Sequence, residues 1–170
     1  STPEQKFHTF LDADGKPFKH PHFIHDSYDS SDAINRFDWA KVTDSNRYSI
    51  NMATVDYTRG LIAIRRSSDA FRLGSKALVD SNIKLIEAPE IAVEDLLIAY
   101  SCQATDGTAF HILINADSRP RTLTVNFDLQ KGEVIVDGQQ AGITAITKPV
   151  GFTFKGSLAT IEPLTAVVIR

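Results

Sequence analysis

Residues 76–170 consist of short apolar runs that alternate with turn signals, and this pattern constrains the fold more than any other feature. The clearest run is Thr122 to Phe127, in which Leu123 and Val125 alternate with polar residues, as in a half-buried strand. Similar runs predict further strands at Lys84 to Glu87, Leu96 to Cys102, Phe110 to Asn115, Glu133 to Asp137, Gly151 to Phe154, Leu158 to Ile161 and Thr165 to Ile169. Gly follows Asp or Lys at several of the breaks, which is typical of hairpin turns. Because no helical pattern intervenes, we predict an antiparallel β-sandwich.

A helical pattern precedes these strands. Between residues 51 and 67, apolar side chains recur at helical spacing, at Val55, Tyr57, Leu61, Ile62 and Ile64. We therefore predict an amphipathic helix of about four turns. Gly60 lies inside it and costs about 1 kcal/mol relative to alanine, so we expect a close packing contact there. The helix must bury its apolar stripe either on the downstream strands or on a barrel that precedes residue 1.

Residues 1–26 contain three prolines, an Asp-Gly pair and little periodicity. We predict a long loop, and a loop of this length is expected to lie against the surface of a larger protein. His20, His22 and His25 fall within it, but the spacing of ligands on a loop is unconstrained, and no nearby Cys or Glu completes a known ligand set. We therefore predict no metal site and no cofactor.

Composition narrows the choice of partner. The chain has 18 basic and 21 acidic residues, a net charge of −3, which does not favour nucleic acid or anionic membrane and suits a neutral polymer such as a glucan. Its single cysteine, Cys102, excludes an internal disulfide, and its apolar surroundings in the sequence predict a buried thiol. We find no signal-peptide pattern and no apolar run long enough to cross a bilayer.

The stretch from Asp26 to Trp39 concentrates polar and aromatic groups that a plain core element would not need. A short helix here would be capped by an Asp or Ser and would carry Asp32 in its first turn. Asp32 and Arg36 are four residues apart and would share a helix face, where a carboxylate and a guanidinium suit vicinal sugar hydroxyls. Tyr28 and Trp39 are flat side chains of the kind that pack beside a sugar ring. The alternative interpretation is an exposed intrahelical ion pair above two core aromatic residues.

This stretch resembles the segment that follows the eighth barrel strand in pullulanases and related debranching enzymes of the α-amylase superfamily, on the pattern S-Y-x-S-x-D-x-I-N-R-x-x-W over residues 27–39. A second pattern, D-Y-x-x-G-L-I-x-x-R-x-S over residues 56–67, followed by A-F-R at 70–72, resembles the last barrel helix of that family and the sequence just after it. The resemblance therefore favours the barrel as the surface on which this helix docks. The resemblance implies a mainly β chain. Residues 1–75 would be the terminal loop and helix of a (β/α)8 barrel, and residues 76–170 a C-terminal β-sandwich domain.

The resemblance also assigns roles to residues. Asp32 and Arg36 would bind the sugar two units to the non-reducing side of the cleaved bond, with Tyr28 and Asn35 supporting the loop. The nucleophile, the acid/base and the third aspartate of the family come from barrel strands four, five and seven, all upstream of the part that aligns with this chain. We therefore assign no catalytic residue within the chain.

The implied parent protein is a pullulanase, a retaining glycoside hydrolase that cleaves α-1,6-glucosidic links in pullulan, amylopectin and related α-glucans. The expected partners of the chain are α-glucan and the upstream catalytic barrel, the expected location is extracellular or at the cell surface, and the chain alone is expected to be inactive. The alternative functions are a carbohydrate-binding module and a purely structural β-sandwich. Residues 76–170 contain no Trp, which argues against a flat glycan-binding platform in that half.

Overall fold

The computed structural model describes residues 7–11, 16–24, 28, 31–92 and 95–170. Contacts divide the chain into two units, Ser1–Tyr48 and Ser49–Arg170. No helix within the described ranges is long and apolar enough to cross a membrane.

The first unit contains strands β1 (Phe7–Leu11) and β2 (Pro17–Ile24), helix α1 (Asp32–Asn35) and a 3-10 turn (Trp39–Val42). β1 and β2 pair as an antiparallel hairpin with Phe7 opposite Ile24. The predicted long loop over residues 1–26 is therefore wrong for these strands. Both strands of a two-stranded hairpin are edge strands, where proline is tolerated because one side of each strand needs no ladder hydrogen bond. The Asp-Gly pair at residues 14–15 and His25 lie outside the described residues.

The second unit contains the predicted helix and the predicted strands. Its elements are α2 (Ser49–Ser67), a 3-10 turn (Asp69–Phe71), α3 (Lys76–Asn82), β3 (Ile83–Leu85), β4 (Leu97–Gln103), β5 (Ala109–Asn115), β6 (Arg121–Thr124), β7 (Val134–Val136), β8 (Phe152–Lys155), β9 (Leu158–Ile161) and β10 (Thr165–Ile169). The strands form a five-stranded sheet in the order β3-β4-β5-β10-β7 and a three-stranded sheet in the order β6-β9-β8. All the strand pairings are antiparallel, so the predicted mainly β, antiparallel architecture is confirmed. Helix α3 was not predicted; it begins after Ser75, whose side chain accepts a hydrogen bond from the backbone N–H of Leu78 at 3.3 Å.

The main core lies between the two sheets. Leu97, Leu113 and Val167 enter it from the five-stranded sheet, and Leu123 and Ile161 enter it from the three-stranded sheet. Each of these side chains is at most 2% exposed. Complete burial of such a side chain contributes about 1.5–3 kcal/mol to the free energy of unfolding. The alternation read from the sequence therefore reports which side of each strand faces this core.

Helix α2 packs on the other face of the five-stranded sheet. Ile64 of the helix joins a second buried cluster with Cys102 and Phe110, and the expected buried thiol is confirmed, with its pKa raised by burial. A Cβ added to Gly60 would lie 1.8 Å from the carbonyl oxygen of Ala141, which confirms the close contact predicted at this glycine. The predicted stripe docks only in part: Ile64 and Tyr57 pack on the downstream strands, whereas Leu61 and Ile62 are 43% and 52% exposed. Docking of the helix on a barrel stays a prediction.

The predicted domain boundary between residues 75 and 76 marks the end of a barrel. Packing within this chain groups α2 with the sheets, because the second unit begins at Ser49. Such packing does not test which residues belong to a barrel, so the boundary stays a prediction.

Candidate functional site

The segment around α1 has the backbone that the sequence suggested, but in a shorter form. Ser31 is the N-cap residue with φ −65° and ψ 162°, its side chain makes no capping hydrogen bond, and Asp32 lies in the first turn as predicted. The backbone N–H of Arg36 donates to the carbonyl oxygen of Asp32 at 2.8 Å. Arg36 itself adopts an extended conformation with φ −61° and ψ 125°, so the helix ends after one turn.

The early end of α1 changes the predicted arrangement of charges. Asp32 and Arg36 are both exposed, and no ion pair joins these two described side chains. The predicted side-by-side fork is therefore not formed, because Arg36 leaves the helix before the face shared by residues four apart is complete. Tyr28 is 94% exposed, and Asn35 is exposed as well. The role of these four residues in sugar binding stays a prediction.

The chain after α1 presents two aromatic rings. Phe37 is 58% exposed and Trp39 is 72% exposed, and their ring centroids lie 4.9 Å apart with an interplanar angle of 69°. Neither Tyr28 nor Trp39 lies in a core of the part of the chain that the structure describes. Within the described residues, the structure therefore shows neither the ion pair nor the core position of the two aromatic residues that the alternative interpretation required.

In the second unit, charged groups form internal contacts that the sequence did not reveal. The guanidinium of Arg121 donates to both carboxylate oxygens of Asp95 at 2.6 Å and to Asp117 at 3.1 Å. These hydrogen bonds hold the pKa of Asp95 well below its ordinary value. A glycosidase needs a general acid whose pKa is raised, so a carboxylate held ionised by an arginine does not suit that role.

Asp137 is the second such internal contact. Its carboxylate is fully buried and accepts hydrogen bonds from the backbone N–H groups of Gln139, Gln140 and Val150 at 2.7–2.8 Å. The hydroxyl of Tyr57 on α2 donates to its backbone carbonyl oxygen at 3.0 Å. Burial, and secondarily the charge of Asp137, raise the pKa of Tyr57. These contacts fix the loop after β7 against α2 and use the polar groups for structure.

The two units thus differ in character. The second is an antiparallel β-sandwich with a helix on one face, and it uses its buried charges internally. The first exposes acidic, basic and aromatic side chains on one short segment. The second unit is therefore an antiparallel β-sandwich module, and it follows in sequence a segment whose charged and aromatic side chains are exposed.

Comparison with known proteins gives the family. Residues 82–170 match the family described as SpuA C-terminal. Pullulanase A of Streptococcus pneumoniae serotype 2 (strain D39 / NCTC 7466) is 42% identical over 171 residues, which cover 97% of this chain and 14% of that protein. The chain therefore belongs to the SpuA C-terminal family, and it spans about one seventh of the length of this curated relative.

Solved structures agree with this assignment. The pullulanase SAP of Group B Streptococcus in complex with maltotetraose is 46% identical, with a TM-score of 0.79 over 96% of this chain and 21% of that chain. The catalytic module of the multi-modular, glycogen-degrading pneumococcal virulence factor SpuA, in complex with an inhibitor, is 39% identical, with a TM-score of 0.82 over 100% of this chain and 25% of that chain.

Proposed function

We propose that this chain is the C-terminal part of a pullulanase, a retaining glycoside hydrolase that cleaves α-1,6-glucosidic links in pullulan, amylopectin and related α-glucans. The observation that carries the proposal is 42% identity to a pullulanase over 97% of the chain. The glycogen-degrading description of one relative and the maltotetraose bound to another support an α-glucan as the ligand. The catalytic carboxylates belong to the barrel that precedes this region, and the isolated chain is inactive.

Within the parent, the segment around α1 supplies a substrate subsite. Asp32 and Arg36 hold a glucosyl unit, and Tyr28 and Asn35 support the segment. The exposure of both charged side chains supports this role, because neither is consumed by an ion pair within the described residues. A hydrogen bond to a charged group contributes about 1.5–3 kcal/mol.

The test is pullulan hydrolysis by the full-length parent. Replacing Arg36 with alanine is expected to raise KM by about tenfold to a hundredfold, the equivalent of losing one charge-assisted hydrogen bond. The matched control is Arg59→Ala, which removes an exposed arginine of α2 whose partner is Asp56. Unchanged kinetics in Arg36→Ala would remove this residue from the subsite, and a parent that does not cleave pullulan would refute the proposed activity.

A structural role is the second candidate for the sandwich half. Its exposed large side chains include the aliphatic residues Leu85 at 77%, Leu96 at 56% and Ile98 at 52%, and the aromatic Phe154 at only 42%. Aliphatic surfaces favour packing against protein, whereas glycan platforms rely on aromatic rings. We infer that the sandwich stabilises its neighbour in the parent. Binding of maltotetraose by the chain that survives Arg36→Ala would instead favour a carbohydrate-binding module.

We also propose that the parent acts outside the cell or at its surface, because pullulanases of this kind usually act on extracellular polymer. Treatment of intact cells with protease should remove the parent protein while a cytoplasmic marker enzyme survives. Retention of the protein inside protected cells would refute this location.

A further inference from the structure

Trp39 is presented to solvent by a fixed turn. The carboxylate of Asp38 accepts a hydrogen bond from the backbone N–H of Ala40 at 3.0 Å and so caps the 3-10 turn that carries Trp39. The hydroxyl of Thr43 donates to the carbonyl oxygen of Trp39 at 3.0 Å. The backbone on both sides of the indole is therefore held by local hydrogen bonds, while the side chain is 72% exposed.

Phe37 braces the indole without covering it. The 69° angle between the rings is an edge contact, in which the edge of one ring meets the face of the other. Such a contact occupies at most one face of the indole, and the exposure of Trp39 shows that the remaining surface is open. Two adjacent exposed rings on one segment offer flat apolar faces of the kind that pack against another apolar face.

We propose that Trp39, braced by Phe37, is a stacking platform for a glucopyranose ring of the α-glucan and that it determines affinity for the substrate of the parent. The inference rests on the proposed function, because that function supplies a neutral sugar as the ligand. A pyranose ring offers an apolar C–H face to an indole and hydroxyl groups around its rim. Trp39 contacts this face, and the exposed side chains of Asp32 and Arg36 on the same segment form hydrogen bonds with the hydroxyl groups.

The first test compares KM, kcat and melting temperature in the full-length parent. Trp39→Ala is expected to raise KM for pullulan about tenfold with little change in kcat or melting temperature, because a stacking contact is lost and the turn is held by backbone hydrogen bonds. Trp39→Phe, which keeps a flat ring, should recover most of the affinity. The matched control is Phe154→Ala, an exposed aromatic residue of β8, which should leave KM unchanged.

An unchanged KM in Trp39→Ala overturns the inference while the proposed function stands. A rise in KM accompanied by a fall in melting temperature also overturns it, because Trp39 would then be a packing residue. If the parent does not cleave pullulan at all, the proposed function fails and the inference fails with it.

The second test uses the chain itself, in which Trp39 is the single tryptophan. Stacking of a sugar on an exposed indole should shift its fluorescence emission to the blue. Millimolar maltotetraose is expected to produce this shift, and equal concentrations of sorbitol, which has hydroxyl groups but no ring, should not. Equal shifts with both solutes would overturn the inference, since they would report a solvent effect rather than recognition of a ring.

Discussion

Replacing Gly60 with alanine should destabilise the second unit, although the same change stabilises most helices. Alanine in a helix interior is favoured over glycine by about 1 kcal/mol. Here the new Cβ would lie 1.8 Å from the carbonyl oxygen of Ala141 and 2.3 Å from its carbonyl carbon, far inside the ordinary contact distance of about 3.5–4 Å. Helix α2 would have to move away from the loop that follows β7.

The size of the effect follows from that movement. Overpacking costs about 1–3 kcal/mol. The displaced helix would also weaken the hydrogen bond from Tyr57 to Asp137, worth about 1 kcal/mol. After subtraction of the gain in helix propensity, we expect a net loss of about 1–3 kcal/mol in the free energy of unfolding.

Urea denaturation of the chain, followed by far-ultraviolet circular dichroism, measures this loss. The control is Gly74→Ala, where a Cβ meets nothing within 4 Å and the expected change is within about 0.5 kcal/mol. The double variant Gly60→Ala with Ala141→Gly should remain destabilised, because the obstructing atoms belong to the backbone. An increase in stability of about 1 kcal/mol in Gly60→Ala would refute the reasoning, since helix propensity alone would then explain the result.

Two further predictions concern stability against pH, each measured by urea unfolding across a pH series. Arg121 stabilises the ionised form of Asp95 and lowers its pKa, so Arg121→Gln should lower the free energy of unfolding at neutral pH. The free energies of unfolding of the two chains should converge as the pH falls below the ordinary aspartate pKa of about 3.9. A constant difference at all pH values would contradict this. His111 stacks on Phe127 with the ring centroids 3.6 Å apart, and burial lowers the pKa of its imidazole. Because the unfolded chain then binds a proton at His111 at higher pH than the folded chain, the free energy of unfolding should fall as the pH drops below about 6.5. His111→Phe should remove that part of the pH dependence, and an unaltered slope would count against His111 as its source.

The sandwich strands and the Gly60 contact were predictable because the sequence of each segment by itself indicates them. A strand with one buried face repeats every two residues, and a glycine inside an amphipathic helix has few explanations other than a close approach. The contacts of Arg121 were not predictable, because Asp95 lies 26 residues away in sequence and becomes a neighbour only when the loop before β4 reaches β6. The hairpin β1–β2 was missed because prolines, which argue against central strands, are compatible with edge strands.

The predicted pairing of Asp32 with Arg36 failed for a different reason. A shared helix face requires that both residues be helical, and isolated helices shorter than about 12–15 residues are marginal without tertiary packing. Helix α1 has four residues and ends before Arg36. Spacing in the sequence indicated which residues lie on the segment, but it did not determine where the helix ends.

Mutations in the two units should have different consequences, because polar groups of the second unit are buried and hydrogen-bonded whereas those of the segment around α1 are exposed. In the second unit, the amide of Asn115 is 1% exposed and donates to three backbone carbonyl oxygens at 2.8–3.1 Å, and the carboxylate of Asp137 is likewise enclosed. Removing such a group leaves buried partners unsatisfied, so its effect should appear in the free energy of unfolding. Arg36 and Trp39 are exposed, and their loss leaves nothing buried unsatisfied among the described residues. Changes at these positions should therefore appear in KM with little change in stability, which is the pattern expected of a substrate-binding segment followed by a stabilising sandwich.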